Sequence, residues 1–469
     1  MPDLFFDIFL EKFRSTKTGM NSLVANHYLN FVVKILSERP SLRVWRSLRS
    51  DDKVKVDAVI TAIDGGLRTI QLSDGSEVVI TRAVSVNNVG SKPIKDLLVK
   101  FLPTSSTSVK WALLTSIEMR VAIKTIEEVL SRYESKSKYV LLDGSLYARI
   151  TELIHELILT KGFLDLYYIP EIIEALEATS NLLRICKEHD VNVVFVSKDT
   201  NIKIMKDYLI FNLIKETILD SAPLLNVDEK TLEILTKGVE WYSIVWLRSF
   251  RKKLLQLAKT YSGPHRELVK QCIKVALSQS ITDIDLLEHL ADKLGIATGV
   301  TRRLLVGIID AYLNSRNLTH VDALVKAITD RIEDSIDLRL VDGYETRDID
   351  EYVKKVKDSL QDLPRILIMY LRLCKGDSPI MIELPYHEWS FMDDKIPSKI
   401  FYDKYYIWDV VDLLRSQYRG PTRYNVLLCL AHEYATFTNS QFVEYATTIL
   451  RNLDGVRSRR RLAINVGLW

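Results

Sequence analysis

The stretch from Lys138 to Leu146, read Lys-Tyr-Val-Leu-Leu-Asp-Gly-Ser-Leu, constrains the chain more than any other. Tyr139, Val140, Leu141 and Leu142 run without alternation, the pattern of a strand buried on both faces. The run stops at Asp143, and Gly144-Ser145 then permit a sharp turn. A carboxylate at the end of a buried strand, beside such a turn, is well placed to hold a metal ion or activate water. It is equally placed to cap the helix predicted over Leu146 to Leu159. The choice between the two depends on the other carboxylates of the chain.

Upstream, Val56 to Ile63 is apolar and β-branched, Asp64-Gly65-Gly66 follows, Leu67 to Leu72 alternates, and Glu77 to Val86 is again strand-like beyond the turn at Ser73-Asp74-Gly75-Ser76. These segments predict a meander of three antiparallel strands, followed by a loop over 91–107. A helix, Val109 to Arg132, leads into the central strand, with Ile117, Val121, Ile126 and Leu130 turned inward and Glu118, Glu127 and Glu128 on the opposite face. After Asp143, a helix to about Lys161 and another over Glu171 to His189 precede a buried strand, Val191 to Ser197, that ends at Lys198-Asp199. Strand, helix, strand in this order is a right-handed parallel crossover. The whole order is ribonuclease-H-like: an α/β fold with a mixed sheet flanked by helices.

The remaining segments divide by period. Residues 1–50 read as N-terminal helices, 51–225 as the first part of the core, 226–345 as an all-α insertion, and 346–469 as core completion with a basic tail. In the last part, 365–373 fits strand or helix, 378–384 fits a strand, helices are expected over 406–418 and 440–452, and a helix or strand-helix over 424–434. Phe5, Phe6, Phe9 and Phe13 make the N-terminal helix more apolar than a lone surface helix needs, as expected of a dimer or partner interface.

Over 469 residues, 47% hydrophobic content is enough for a large core, and a net charge of +3 leaves the partner undecided. Local basic segments, Arg43 to Arg49, Arg248 to Lys253 and Arg457 to Arg461, suit contact with a nucleic-acid backbone or with solvent. Cys186, Cys272, Cys374 and Cys429 are scattered without a Cys-x-x-Cys pair, which predicts free thiols in a reducing compartment. With no signal peptide and no membrane-length apolar run, the expectation is a soluble cytoplasmic protein without membrane contact.

Three acidic positions stand out in order: Asp64, Glu127 (or its neighbour Glu128) and Asp143. Water attacks a phosphodiester only when the charge on the phosphate and on the leaving oxygen is neutralised. Oxygen ligands converging from separate elements can hold the divalent ions, Mn²⁺ or Mg²⁺, that do this.

At these residues the chain resembles the archaeal NurA nucleases. The match runs through Ala62-Ile63-Asp64-Gly65-Gly66, Ile80-Thr81-Arg82-Ala83-Val84, Glu127, Leu141-Leu142-Asp143-Gly144-Ser145-Leu146 and Val196-Ser197-Lys198-Asp199. It continues through Ile382-Glu383-Leu384-Pro385 and Tyr424 with Ala431-His432. The resemblance implies a manganese-dependent 5′-to-3′ exonuclease and single-strand endonuclease on a ribonuclease-H-like fold. It also implies a homodimer that works with the hexameric HerA translocase in DNA end resection. The implied metal carboxylates are Asp64, Glu127 and Asp143, and the implied essential tyrosine and histidine are Tyr424 and His432. Gly66 stands where the family commonly has serine, and Asn425 where proline is usual. His432 could ligate the metal or, protonated, assist the leaving group. Lys198 could pair a phosphate or neutralise Asp199. The alternative function is a non-catalytic scaffold of the same fold that docks a DNA-processing partner.

Overall fold

The computed structural model describes residues 24–48, 56–133, 136–159, 166–198, 200–221, 255, 259, 261, 265–315, 320–341, 348–386 and 405–452. The N-terminal phenylalanines, the basic segments Arg248 to Lys253 and Arg457 to Arg461, and Arg49 and Asp199 lie outside these residues. The chain divides into two compact units, Met1–Leu48 with Asp199–Arg302 and Arg49–Lys198 with Arg303–Trp469. Among the described residues no helix is long and apolar enough to cross a membrane.

The strands in chain order are β1 (Trp45–Ser47), β2 (Ala58–Gln71), β3 (Glu77–Asn87), β4 (Ile94–Leu102), β5 (Ser137–Asp143), β6 (Val191–Ser197), β7 (Gly299–Thr301), β8 (Leu304–Val306), β9 (Arg365–Arg372) and β10 (Ile380–Tyr386). In the second unit they run β9-β10-β6-β5-β2-β3-β4, with β8 paired to β9. β2, β5 and β6 are parallel neighbours, whereas β2-β3-β4 and β6-β10-β9 are antiparallel. A mixed sheet flanked by helices is therefore the architecture of this unit. β5 lies between two parallel partners, and Tyr139 to Leu142 are all buried, as their uninterrupted run requires. Each such side chain contributes on the order of 1.5–3 kcal/mol through burial, enough to support polar and charged groups at the strand's end.

Two expectations for this region change. The segments expected as two strands on either side of Asp64-Gly65-Gly66 are one, β2, which runs straight through it from Ala58 to Gln71. The third strand of the meander is β4, inside the segment expected to be a loop. Its charges (Lys95, Asp96, Lys100) and flanking prolines mask a strand signal, yet its exposure alternates along its length as an edge strand's does. The ambiguous 365–373 segment is the strand β9, buried along its whole length.

In the first unit the Val24–Ser37 helix packs on the Arg266–Leu277 and Asp283–Lys293 helices, and the Ile204–Ser221 helix packs on the same two. β1 and β7 form a short antiparallel pair, and the Trp45 indole donates to the Leu287 carbonyl at 3.0 Å. The stretch 226–345, expected to be all-α, thus contains β7 and β8, and the boundary between units falls inside it at Arg302–Arg303. The described N-terminal residues, 24–48, group with helices from beyond Asp199 instead of standing apart. Three-residue strands are shorter than any window over which period can be read, so the sequence carries no signal for them.

Candidate metal centre

The parallel register of β2 on β5 sets Ile63 opposite Leu142, so the next residues, Asp64 and Asp143, stand side by side. His432 comes from the Val426–Ala435 helix. One ligand atom from each of Asp64, Asp143 and His432 lies within 4.8 Å of the others. His432 Nδ1 is 2.7 Å from Asp64 Oδ2, and Asp64 Oδ1 accepts from the Gly65 N–H at 2.7 Å. The buried Tyr424 hydroxyl donates to Asp143 Oδ2 at 3.4 Å. Lys198, exposed at the end of β6, holds its ammonium 5.6 Å from the centre of the Tyr424 ring.

Burial, and then the neighbouring Asp64 charge, raise the Asp143 carboxyl above the usual range; Lys198, Arg149 and His432 pull it back. Burial foremost, with Asp143 next, pushes the Tyr424 hydroxyl well up, so it is a neutral donor. A carboxylate whose ionisation is made costlier by burial and by the charge beside it makes a corner that a cation relieves. Two carboxylates and an imidazole are oxygen and nitrogen donors that suit Mn²⁺.

The sequence model of the NurA domain matches residues 58–437, from the first residue of β2 to just beyond His432. The chain belongs to the NurA domain family. Among solved structures, the NurA nuclease from Sulfolobus solfataricus is 13% identical, over 97% of this chain and 99% of that one, with a TM-score of 0.49. A NurA bound to dAMP and manganese is 14% identical, over 96% and 98%, with a TM-score of 0.40. A NurA with manganese is 13% identical, over 96% and 99%, with a TM-score of 0.32. No curated protein matches the chain.

Five of the six expected site residues of this NurA domain come together: Asp64, Asp143, His432, Tyr424 and Lys198. Glu127 does not. It is exposed on the Thr107–Glu128 helix, as is Glu128. The acid that this helix brings to the cluster is Glu118, which is 2% exposed. The two lie nine residues apart (127 − 118 = 9), about two and a half turns, so they face opposite ways. From the sequence Glu118 is expected on the polar face, but Leu114, Ile117, Val121 and Ala122 surround it in the helical pattern. A carboxylate inside an apolar stripe was the available signal. Burial raises its carboxyl to about 7 despite the opposing pull of Arg149.

Arg149 was missed as well. It pairs with Glu118 and donates from NH2 to the Asp143 carbonyl at 2.7 Å, tying the helix to the strand end. Glu383, quoted only as part of a motif, is fully buried on β10. It accepts from the Ser145 hydroxyl at 2.9 Å, from the Tyr147 N–H at 3.2 Å and from the Leu146 N–H. A carboxylate from a distant strand thus caps the helix that Asp143 was a candidate to cap, leaving Asp143 for the cluster.

The glycines of the first motif serve close approach. A Cβ on Gly65 would fall 2.6 Å from Glu118 Oε1, and one on Gly66 would fall 2.2 Å from the Ala435 carbonyl oxygen. Gly66 thus lets the end of the His432 helix rest on β2. Arg82 secures that end, donating from Nε to the Ala435 carbonyl at 2.8 Å and from NH2 to the Thr436 carbonyl at 2.6 Å. Asn425 caps the start of the same helix, accepting from the Leu428 N–H at 3.0 Å.

Proposed function

We propose that this protein is a Mn²⁺-dependent DNA nuclease, a 5′-to-3′ exonuclease and single-strand endonuclease with a ribonuclease-H-like core. In this reading it acts in the cytoplasm as a homodimer beside a HerA-type hexameric translocase in DNA end resection. The observation that carries the reading is the Asp64–Asp143–His432 group inside a NurA domain. Polarity, homodimer and translocase rest on what the family resemblance implies.

Asp64 and Asp143 would hold the divalent ion, with His432 as the third ligand when its ring turns from Asp64. A bound ion would supply charge neutralisation on the phosphate and lower the pKa of attacking water. The chain's own groups divide the remaining work. The Tyr424 O–H fixes the orientation of the Asp143 carboxylate. Arg149 holds Glu118 and the Asp143 backbone in place. When it does not ligate the ion, a protonated His432, 58% exposed at its side chain, can instead pass a proton to a leaving oxygen. Lys198, also exposed, can meet a phosphate oxygen.

The test is incubation of the purified full-length chain with linear DNA in Mn²⁺, in Mg²⁺ and in EDTA. Degradation that needs the ion and stops in EDTA is the expected result. Full activity in EDTA, or none with either ion, would overturn the reading.

A further inference from the structure

A cleft of about 240 Å³ opens directly beside the metal centre, among the Thr107–Glu128, Leu146–Leu159 and Ile169–Glu188 helices. Gly144, the residue after Asp143, forms part of its wall, and so does Arg149. Its floor is apolar, made by buried Ala112, Leu153 and Ile172. At its mouth stands Trp111, 55% exposed, the most exposed large apolar side chain of the Thr107–Glu128 helix. Glu152 and Glu156, four residues apart on one helical face, also line it, and Glu156 accepts from the Ser108 hydroxyl at 3.0 Å.

We propose that this cleft takes one nucleobase of the strand whose phosphate lies at Asp64 and Asp143, stacked on Trp111, with preference for bases that carry an exocyclic amino group. The inference rests on the nuclease reading and adds a binding subsite to it. The volume is below the about 300–1,000 Å³ of drug-sized pockets, which suits a single flat ring and not a base pair. An exposed indole over an apolar floor is a stacking platform, and stacking tolerates any base because every base has a π-face. Two carboxylates disfavour a phosphate in the cleft. They accept hydrogen bonds from the amino groups of cytosine, adenine or guanine, whereas thymine offers only its ring N3–H, set between two carbonyl acceptors. Arg149 does not reverse this preference, because its guanidinium is engaged by Glu118 and the Asp143 carbonyl. A base held here must leave its neighbours, so the cleft would separate the terminal nucleotide from a stacked strand.

The experiment uses the full-length protein and two readouts. In the first, hydrolysis of equal-length oligo-dC and oligo-dT is followed with Mn²⁺. Wild type should favour dC by severalfold in kcat/KM. Trp111→Ala should raise KM for both on the order of tenfold, Trp111→Phe should restore most of the loss, and Glu152→Gln should narrow the dC-to-dT ratio. In the second, which needs no turnover, deoxycytidine 5′-monophosphate is titrated while tryptophan fluorescence is read. Wild type should quench saturably, more tightly than with thymidine 5′-monophosphate, and Trp111→Phe should lose the quench. An active enzyme whose KM and dC preference are unchanged in Trp111→Ala overturns the cleft and leaves the nuclease reading standing. An inactive wild type that still quenches through Trp111 supports the cleft while the nuclease reading fails. A wild type that shows no quench overturns the cleft.

Discussion

Charge is buried in both units of this protein, and the two burials are answered in opposite ways. In the first unit Lys206 is fully buried and its ammonium donates to the carbonyls of Val275, Ala276, Ser278 and Ile281 at 3.0–3.4 Å. Those carbonyls belong to the end of the Arg266–Leu277 helix and the residues after it, where backbone acceptors have no intrahelical partner. Asp283 meanwhile accepts from the N–H groups of Met205 and Lys206 at 2.9 and 2.7 Å, capping the start of the Ile204–Ser221 helix. With the Asp207 carboxylate 3.8 Å from the ammonium as well, the cation is answered from within the unit, which is the mark of a structural element. In the second unit Asp64, Asp143 and Glu118 gather in one corner, and burial with mutual repulsion raises the carboxyls of Asp143 and Glu118. Among the described residues, Arg149 answers Glu118 and in part Asp143, while the exposed Lys198 and His432 answer Asp64 and Asp143 from the solvent side. A like-charged cluster left short of counter-charge is arranged for something that arrives from outside.

That contrast predicts opposite responses to neutralisation. Asp64→Asn or Asp143→Asn should lower DNA hydrolysis at least about a hundredfold, while the thermal midpoint measured without metal stays level or rises as repulsion is relieved. A variant with full activity would remove the distinction between the two burials. Lys206→Met should do the reverse. It strands several carbonyls and should cost about 1–3 kcal/mol in denaturant unfolding, with hydrolysis retained at temperatures where the variant is folded.

Glu383 gives the smallest effect and a sign that can be checked. Burial raises its carboxyl from 4.5 to about 7. Between those values the folded chain keeps a proton that the unfolded chain has released, so stability falls as pH rises through the window. Glu383→Gln should flatten that part of the profile relative to wild type. An identical slope in both proteins would mean that Glu383 ionises in the fold as freely as in water.

Much of this corner was legible in the sequence because its signals are local. The four-residue apolar run before Asp143 defines β5, the valine-rich run before Lys198 defines β6, and both strands lie where their runs place them. Asp64 next to Asp143 follows from a parallel register, a long-range property that a motif match can suggest but periodicity cannot supply. Glu127 and Glu118 show the cost of reading a helix face loosely, since nine residues of offset reverse the side. Gly65-Gly66 separates two strand-like segments in the sequence, as a glycine pair often does. Here they let two other elements approach a continuous strand, and nothing nearby in the sequence says so. Glu383 lies well over two hundred residues beyond the turn it caps, beyond the reach of any capping pattern.

The most direct test of the central claim is a calorimetric titration of Mn²⁺ into the full-length wild type and into the Asp64→Asn, Asp143→Asn double variant. The account predicts saturable binding to wild type that is weakened at least about tenfold in the variant, since metal carboxylates supply the charge that holds the ion. Equal binding to both proteins would contradict it, because the ion would then sit somewhere other than between β2 and β5.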